Sequence, residues 1–221
     1  MNLELTHKLM RPYLCADGRE KLSDIFPAEY LSKLWNCATD ALQFIMVRVT
    51  AENIIASPNH AFPTLTGVIP EYNMNRSLSV DVFQEAYKNI PIIEQEITFK
   101  CDSCDGDGRF FHSGHHYKCK SCDQTGKVGI GKMESVKDPS YSITINNVKH
   151  NPALIAQMLC VAESLDLTQI EVKYIAAADY PKASIFHLGQ DVIVGIIGKP
   201  KSFNSDTDDD NDMVNEIEIA I

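Results

Sequence analysis

Two Cys-x-x-Cys pairs, Cys101-Asp-Ser-Cys104 and Cys119-Lys-Ser-Cys122, carry the most specific chemistry written in this sequence. Each pair aims two sulfurs at one point, and two pairs joined by a loop supply the four soft ligands of a tetrahedral zinc site. Each pair is followed by Asp and then by a glycine, Gly106 or Gly126, where the chain can curl behind the sulfurs with positive φ. Lys100, Lys118 and Lys120 flank the cysteines, and positive charge there favours the thiolate form that binds metal. The expected cofactor is one structural Zn²⁺ on Cys101, Cys104, Cys119 and Cys122. Four cysteines would close the coordination shell and leave no position for water or substrate, so the metal would fold the chain rather than react. The alternatives are two disulfides or four free thiols. His112, His115 and His116 lie in the intervening loop, either as exposed residues or as a replacement ligand or second weak site.

No segment elsewhere supplies a catalytic signature. The sequence has no Gly-x-Ser-x-Gly elbow, phosphate loop or His-Glu-x-x-His, so no enzymatic activity is expected. Asp40 is the most tempting candidate for a lone catalytic carboxylate, but an Asp at the entry to a strand ordinarily caps a turn. The formal net charge of −10 argues against a general nucleic-acid coat, though not against a local basic face. Met1-Asn2-Leu3-Glu4-Leu5 lacks the basic and apolar runs of a signal peptide, and no apolar stretch approaches a membrane span. A cytoplasmic setting without membrane contact is therefore expected, with Cys15, Cys37 and Cys160 as buried thiols.

The elements that must position the cysteines follow from periodicity. Thr6 to Leu14 suggests a short helix interrupted at Pro12, and Pro27 to Leu34 another helical turn or two. Leu42 to Val49 has the apolar, β-branched character of a strand. Ser77–Val80 reads as a strand, Asp81 as the cap of a helix to Ile90, and Glu94–Lys100 as an alternating strand entering the first Cys pair. Gly126, Gly129 and Gly131 suggest a flexible return. Tyr141–Ile145 is a strand, Asn146-Asn147 a turn, and Asn151-Pro152 the start of a helix whose inner face holds Leu154, Ile155, Met158, Leu159, Ala162 and Leu165. Strands at 170–175, 183–188 and 192–197 complete a βαβββ unit, and the stretch from 76 begins an equivalent one. The expected fold class is α+β, with helices packed on antiparallel sheet and a zinc-knuckle loop inserted. Residues 203–212 form an acidic linker, and Ile217, Ile219 and Ile221 mark an added edge strand, either on a partner or, the duller case, folding back on its own sheet.

Four local motifs in this order resemble the bacterial sliding clamp, the beta subunit of the replicative DNA polymerase. Cys37-Ala-Thr-Asp-Ala-Leu-Gln-Phe44 is similar to the clamp's Ala-Thr-Asp-Gly-His-Arg-Leu stretch. Phe62-Pro-Thr-Leu-Thr-Gly-Val-Ile-Pro70 is similar to its Phe-Pro-x-Tyr-x-x-Val-Ile-Pro segment, and Asn146 to Ile155 resembles the start of the second helix of its last domain. Asp191 to Ile197 resembles its closing strand, with Ile197-Gly-Lys199 in place of Met-Pro-Met. The resemblance implies clamp-like repeated units. Residues 1–75 would be a partial clamp-like segment, 76–202 a clamp-like domain with the zinc insertion at 100–127, and 203–221 the acidic linker and tail.

It also implies a noncatalytic role in DNA replication or repair, of phage or mobile-element type, as an oligomer closing around duplex DNA. A pocket for partner peptides would be lined by Thr39, Ala41, Leu42, Phe44, Pro63, Val68 and Ile197, or the apolar members of that set would be plain core. Arg76, Lys88, Lys132, Lys137 and Lys149 are the candidate DNA-facing cations. Against this, the helix from 152 carries no Lys or Arg, and the helix to 90 only Lys88. A zinc-braced protein-interaction adaptor that keeps the topology without the DNA is the competing expectation. The Cys-x-x-Cys-x-Gly-x-Gly spacing resembles half of the cysteine-rich domain of DnaJ-type chaperones, which has four such repeats where this chain has two.

Overall fold

The computed structural model describes residues 1–14, 24–53, 65, 69, 72, 74–174, 183–198 and 215–220. Pro63, Val68, Cys15, the acidic linker at 203–212 and Ile221 lie outside them. The chain divides into two compact units, one of Met1–Ile90 with Pro139–Ile221 and one of Pro91–Asp138.

The larger unit is built on a seven-stranded, fully antiparallel sheet. Its strands are β1 (Phe26–Tyr30), β2 (Lys33–Thr39), β3 (Gln43–Arg48), β4 (Met74–Ser79), β11 (Gln169–Tyr174), β12 (Ala183–Leu188) and β13 (Val192–Ile197). They lie in the order β1-β2-β3-β13-β12-β11-β4, so strands from both ends of the chain share one ladder. The strands β2, β3, β12 and β13 are buried on both faces, which explains their continuous apolar runs, whereas β4 is largely exposed. Ile45, Val47, Phe186, Val192, Val194 and Ile196 point into the main core, while the alternating residues Met46, Ile185 and Ile193 join Trp35, Cys37 and Ala28 in a second one.

Three helices and a small second sheet supply most of the rest of the main core. Helix α1 (Leu3–Met10) is capped by Asn2, and Pro12 falls in the 3₁₀ turn that follows it. Helix α2 (Val80–Lys88) starts on Ser79, whose hydroxyl accepts the Asp81 N–H, and buries Val80, Phe83 and Ala86. The cap is thus Ser79, two residues before the expected Asp81, whose charge instead complements the first turn. Helix α3 (Pro152–Ser164) has the expected Asn151 cap and buries Ile155, Met158, Leu159 and Ala162. It packs on α2. Cys160 lies on its exposed side, contrary to the buried thiol expected there, because the apolar stripe of this helix passes through its neighbours Leu159 and Val161. Strands β9 (Ser142–Ile145), β10 (Val148–His150) and β14 (Glu216–Ile219) form a small sheet of order β10-β9-β14. The isoleucine alternation at the end of the chain thus pairs with its own unit, parallel to β9.

The helical turns expected at 27–34 are instead the β1–β2 hairpin. Leu31 and Ser32 both take positive φ, 49° and 58°, in a two-residue turn that neither residue type announces. Pro27 is tolerated because β1 is an edge strand.

The smaller unit contains β5 (Ile92–Lys100), β6 (Arg109–His112), β7 (His115–Lys118) and β8 (Lys127–Lys137). β5 pairs with β8, and β6 with β7, as two separate antiparallel ribbons. The glycines after the second Cys pair, expected to make a flexible return, lie within β8 or just before it. The β5–β8 register shifts between Glu96 and Thr98, and Gly131 at the resulting bulge donates its N–H to Glu96 Oε1 at 2.9 Å.

Candidate functional site

In the smaller unit, the buried residues are Cys101, Cys104, Cys119, Cys122, Gly108 and Gly126. The four sulfurs lie within 4.8 Å of one another, with 3.8 Å between Cys101 and Cys119 and 3.7 Å between Cys104 and Cys122. Four thiolates about 2.3 Å from a common ion stand about 3.8 Å apart, so the cluster has the dimensions of a tetrahedral metal site. All four cysteines are free of disulfides. Burial pushes the Cys104 thiol up to about 12. Burial acts the same way on Cys119, but hydrogen bonds from Cys122 and Cys104 draw it down to about 7. Negative charges packed this closely repel one another, and a cation at their centre would offset that repulsion.

The knuckles are an internal repeat related by a shift of eighteen residues. The Gly106 N–H donates to the Cys101 carbonyl at 3.1 Å, as the Gln124 N–H does to Cys119. The Asp107 and Thr125 N–H groups donate to Cys104 and Cys122 in the same way, at 3.0 and 2.9 Å. Across the pseudo-twofold, the Cys101 N–H donates to the Gly126 carbonyl at 2.8 Å and the Cys119 N–H to that of Gly108 at 2.9 Å. The positions equivalent under this repeat are Gly108 and Gly126, both with positive φ, and Gly106 also takes the positive φ expected of it. A Cβ on Gly108 would come within 2.2 Å of the Gln124 carbonyl oxygen, and one on Gly126 within 2.0 Å of that of Gly106. Gly108 also donates its N–H to the Cys104 sulfur at 3.2 Å, a bond that favours thiolate. The sequence signal for this pair was the full repeat Cys-x-x-Cys-Asp-x-x-Gly. The loop histidines His112, His115 and His116 are exposed on β6 and β7.

In the larger unit, the turn between β2 and β3 brings together the described members of the expected peptide pocket. Asp40 Oδ1 accepts the N–H groups of Leu42 and Gln43 at 2.9 and 3.0 Å, and Thr39 Oγ1 accepts that of Ala41 at 3.1 Å. Asp40 is thus a turn cap, as its position suggested. Ala41 sits at φ 75°, and Leu42 is 60% exposed beside half-exposed Ile197, whose N–H donates to the Leu42 carbonyl at 3.0 Å. Phe44 packs on the second core and lies over Gly195, its partner in the sheet, where a Cβ would meet the ring at 2.2 Å. Thr39, Ala41, Leu42, Phe44 and Ile197 therefore share one end of the neighbouring strands β2, β3 and β13, and Gly195 belongs with them.

The expected DNA-facing cations are divided between the units. Arg76 on β4 and Lys88 at the end of α2 are exposed, and Lys149 on β10 pairs with Glu216 at 3.3 Å. Lys132 and Lys137 belong to β8 of the smaller unit. Among the described residues, no helix is long and apolar enough to cross a membrane.

No protein-family model matches the chain, and no curated protein does. Solved structures do. The DNA polymerase sliding clamp of Bacillus subtilis superposes with a TM-score of 0.50 at 11% identity, covering 90% of this chain and 62% of that one. DNA polymerase III subunit beta of Borrelia burgdorferi, solved with a natural product, does so with 0.50 at 10% identity and the same coverages. The chain has the clamp fold and spans less than two thirds of the length of these clamps.

Proposed function

We propose that this protein is a noncatalytic, clamp-like module of DNA replication or repair, braced by one Zn²⁺ on Cys101, Cys104, Cys119 and Cys122. The strand ends at Thr39, Ala41, Leu42, Phe44 and Ile197, with Pro63 and Val68 as the remaining expected members, receive an apolar peptide from a polymerase-type partner. The observation that carries this reading is the convergence of those described positions at one end of three neighbouring strands, with Leu42 and Ile197 left in water. Exposed apolar side chains at rigid strand ends are the anchors such recognition needs. Arg76, Lys88, Lys132, Lys137 and Lys149 are the cations proposed to face duplex DNA, which an assembly of more than one copy would enclose.

The zinc-braced adaptor without DNA is favoured by one specific observation. Helix α3 carries no Lys or Arg and ends near Glu163, and α2 has only Lys88 in its last turn. Phosphate binding draws its affinity from released counterions, and these helices offer little to release them. Two titrations separate the readings. A labelled peptide with two apolar anchors should bind the full chain and lose at least about tenfold in affinity on Leu42→Asp. A labelled duplex should bind in a salt-dependent way if the module is a clamp, and not at all at low salt if it is an adaptor. Unchanged peptide affinity in Leu42→Asp removes the groove from both.

A further inference from the structure

The β6–β7 hairpin of the smaller unit is exposed at every residue from Arg109 to Lys118. It holds three large rings in water: Phe111 at 70% exposure, Tyr117 at 51% and Phe110 at 38%. The same segment carries Arg109, Lys118 and three histidines without a single carboxylate, in a chain of formal net charge −10. The nearby carboxylates, Asp102, Asp105, Asp107 and Asp123, all belong to the knuckles, and Asp105 is paired with Lys100 at 2.7 Å.

Register sorts these side chains by face. Arg109 lies opposite Lys118, and Phe111 opposite His116, so all four share one face. The Phe111 and His116 rings are 5.1 Å apart, and the two cations sit one pleat repeat away, roughly 7 Å along the strands. The other face presents Phe110 opposite Tyr117 and His112 opposite His115.

We infer that this hairpin binds single-stranded nucleic acid, one base stacking at the Phe111–His116 pair with its phosphate drawn to Arg109 and Lys118, and another at the Phe110–Tyr117 pair. Exposed rings beside cations, in a segment cleared of carboxylates, complement a ligand that offers π faces and negative charge together. A duplex hides its base faces by stacking them on each other and would use only the cations. An acidic peptide would use the cations and leave the rings idle. The inference goes beyond the clamp reading, and needs the metal only to hold the knuckles from which the hairpin projects.

The test is fluorescence anisotropy on the full zinc-loaded chain with labelled oligothymidylate, oligouridylate and a duplex of equal length, each over a salt series. Both single strands should bind more tightly than the duplex. Phe111→Ala and Tyr117→Ala should each weaken single-strand binding at least about tenfold. Because both side chains are exposed, zinc content and the melting temperature should not move. Replacing Arg109 and Lys118 by Gln should flatten the salt dependence by roughly 0.7 in log–log slope for each phosphate no longer neutralised. Tighter binding to the duplex, ring variants that bind like the parent, no binding at low salt, or displacement by polyglutamate as effective as by oligothymidylate would each overturn the inference. Arg76→Gln with Lys88→Gln, which addresses the clamp reading alone, should leave single-strand binding intact.

Discussion

Removing the metal should unfold the smaller unit and leave the larger one standing. Its buried residues are four cysteines and two glycines, so no apolar core offsets the ordering of Pro91–Asp138. Fixing each backbone costs about 1–2 kcal/mol. A structural zinc contributes about 10–16 kcal/mol at neutral pH, the largest single contribution available to offset that cost in this unit. The larger unit draws instead on residues such as Phe83, Ile155, Met158 and Phe186, each worth about 1.5–3 kcal/mol on burial and none in the knuckles. Metal analysis should find about one zinc per chain. Hydrogen exchange before and after chelation under reducing conditions reads the rest. The amides of Cys101, Gly106, Gly108, Cys119 and Gln124 should lose protection, while those of Ile193 and Val194 keep theirs. Cys104→Ser should reproduce the pattern. Knuckle amides that stay protected once the metal is gone, or loss of protection in both units together, would refute the reasoning.

Three further outcomes follow from single side chains. Gly126→Ala meets both the left-handed backbone cost of about 1–2 kcal/mol and a carbonyl oxygen 2.0 Å from its new Cβ, so competitive chelation should report zinc held at least about tenfold more weakly. Phe83→Ala removes a fully buried ring set edge-on to Phe186 at 6.1 Å and should cost about 3–5 kcal/mol in urea unfolding, without changing zinc content. Burial draws the His150 imidazole down to about 4, with Nε2 bonded to Ser184 Oγ at 2.9 Å and Nδ1 unpartnered. The unfolded chain takes up that proton near pH 6.5. The contribution of His150 is therefore complete above that pH and is lost by roughly 3 kcal/mol as pH falls towards 4. Unfolding free energies measured across this window should fall less steeply in His150→Gln than in the parent.

Where local chemistry decided the structure, the sequence was readable. Cys spacing, the Asn151-Pro152 helix start and the apolar stripe of α3 each act through neighbours in the chain. The clamp topology was legible through motifs whose residues do local work, such as Asp40 capping the turn before β3. What escaped depends on distant partners. The Leu31-Ser32 turn has no glycine or asparagine to signal it, and only pairing of Phe26 with Cys37 and of Tyr30 with Lys33 forces those residues to positive φ. The β8 strand was hidden by its own glycines, which read as flexibility until Glu96 occupies the bulge. Gly195 looked like any small residue in an apolar strand, and its purpose appears only when the Phe44 ring is seen across the ladder. Gly106 and Gly126 take the positive φ expected of them, but the role of Gly108 appears only when it is seen packed against the opposite knuckle.

The two units are therefore held by forces that respond to different agents. Chelators and thiol oxidants act on the sulfur cluster, which has no apolar reserve, whereas urea acts first through the area of buried sheet that unfolding exposes. The turn that presents Leu42 is fixed by Asp40, Thr39 and the β3–β13 ladder, all within the larger unit and none dependent on the cysteines. A metal-depleted chain accordingly keeps the peptide-binding strand ends of the proposed module while losing the hairpin at Arg109–Lys118. Peptide binding that survives chelation, alongside single-strand binding that does not, is the pattern this division of forces requires.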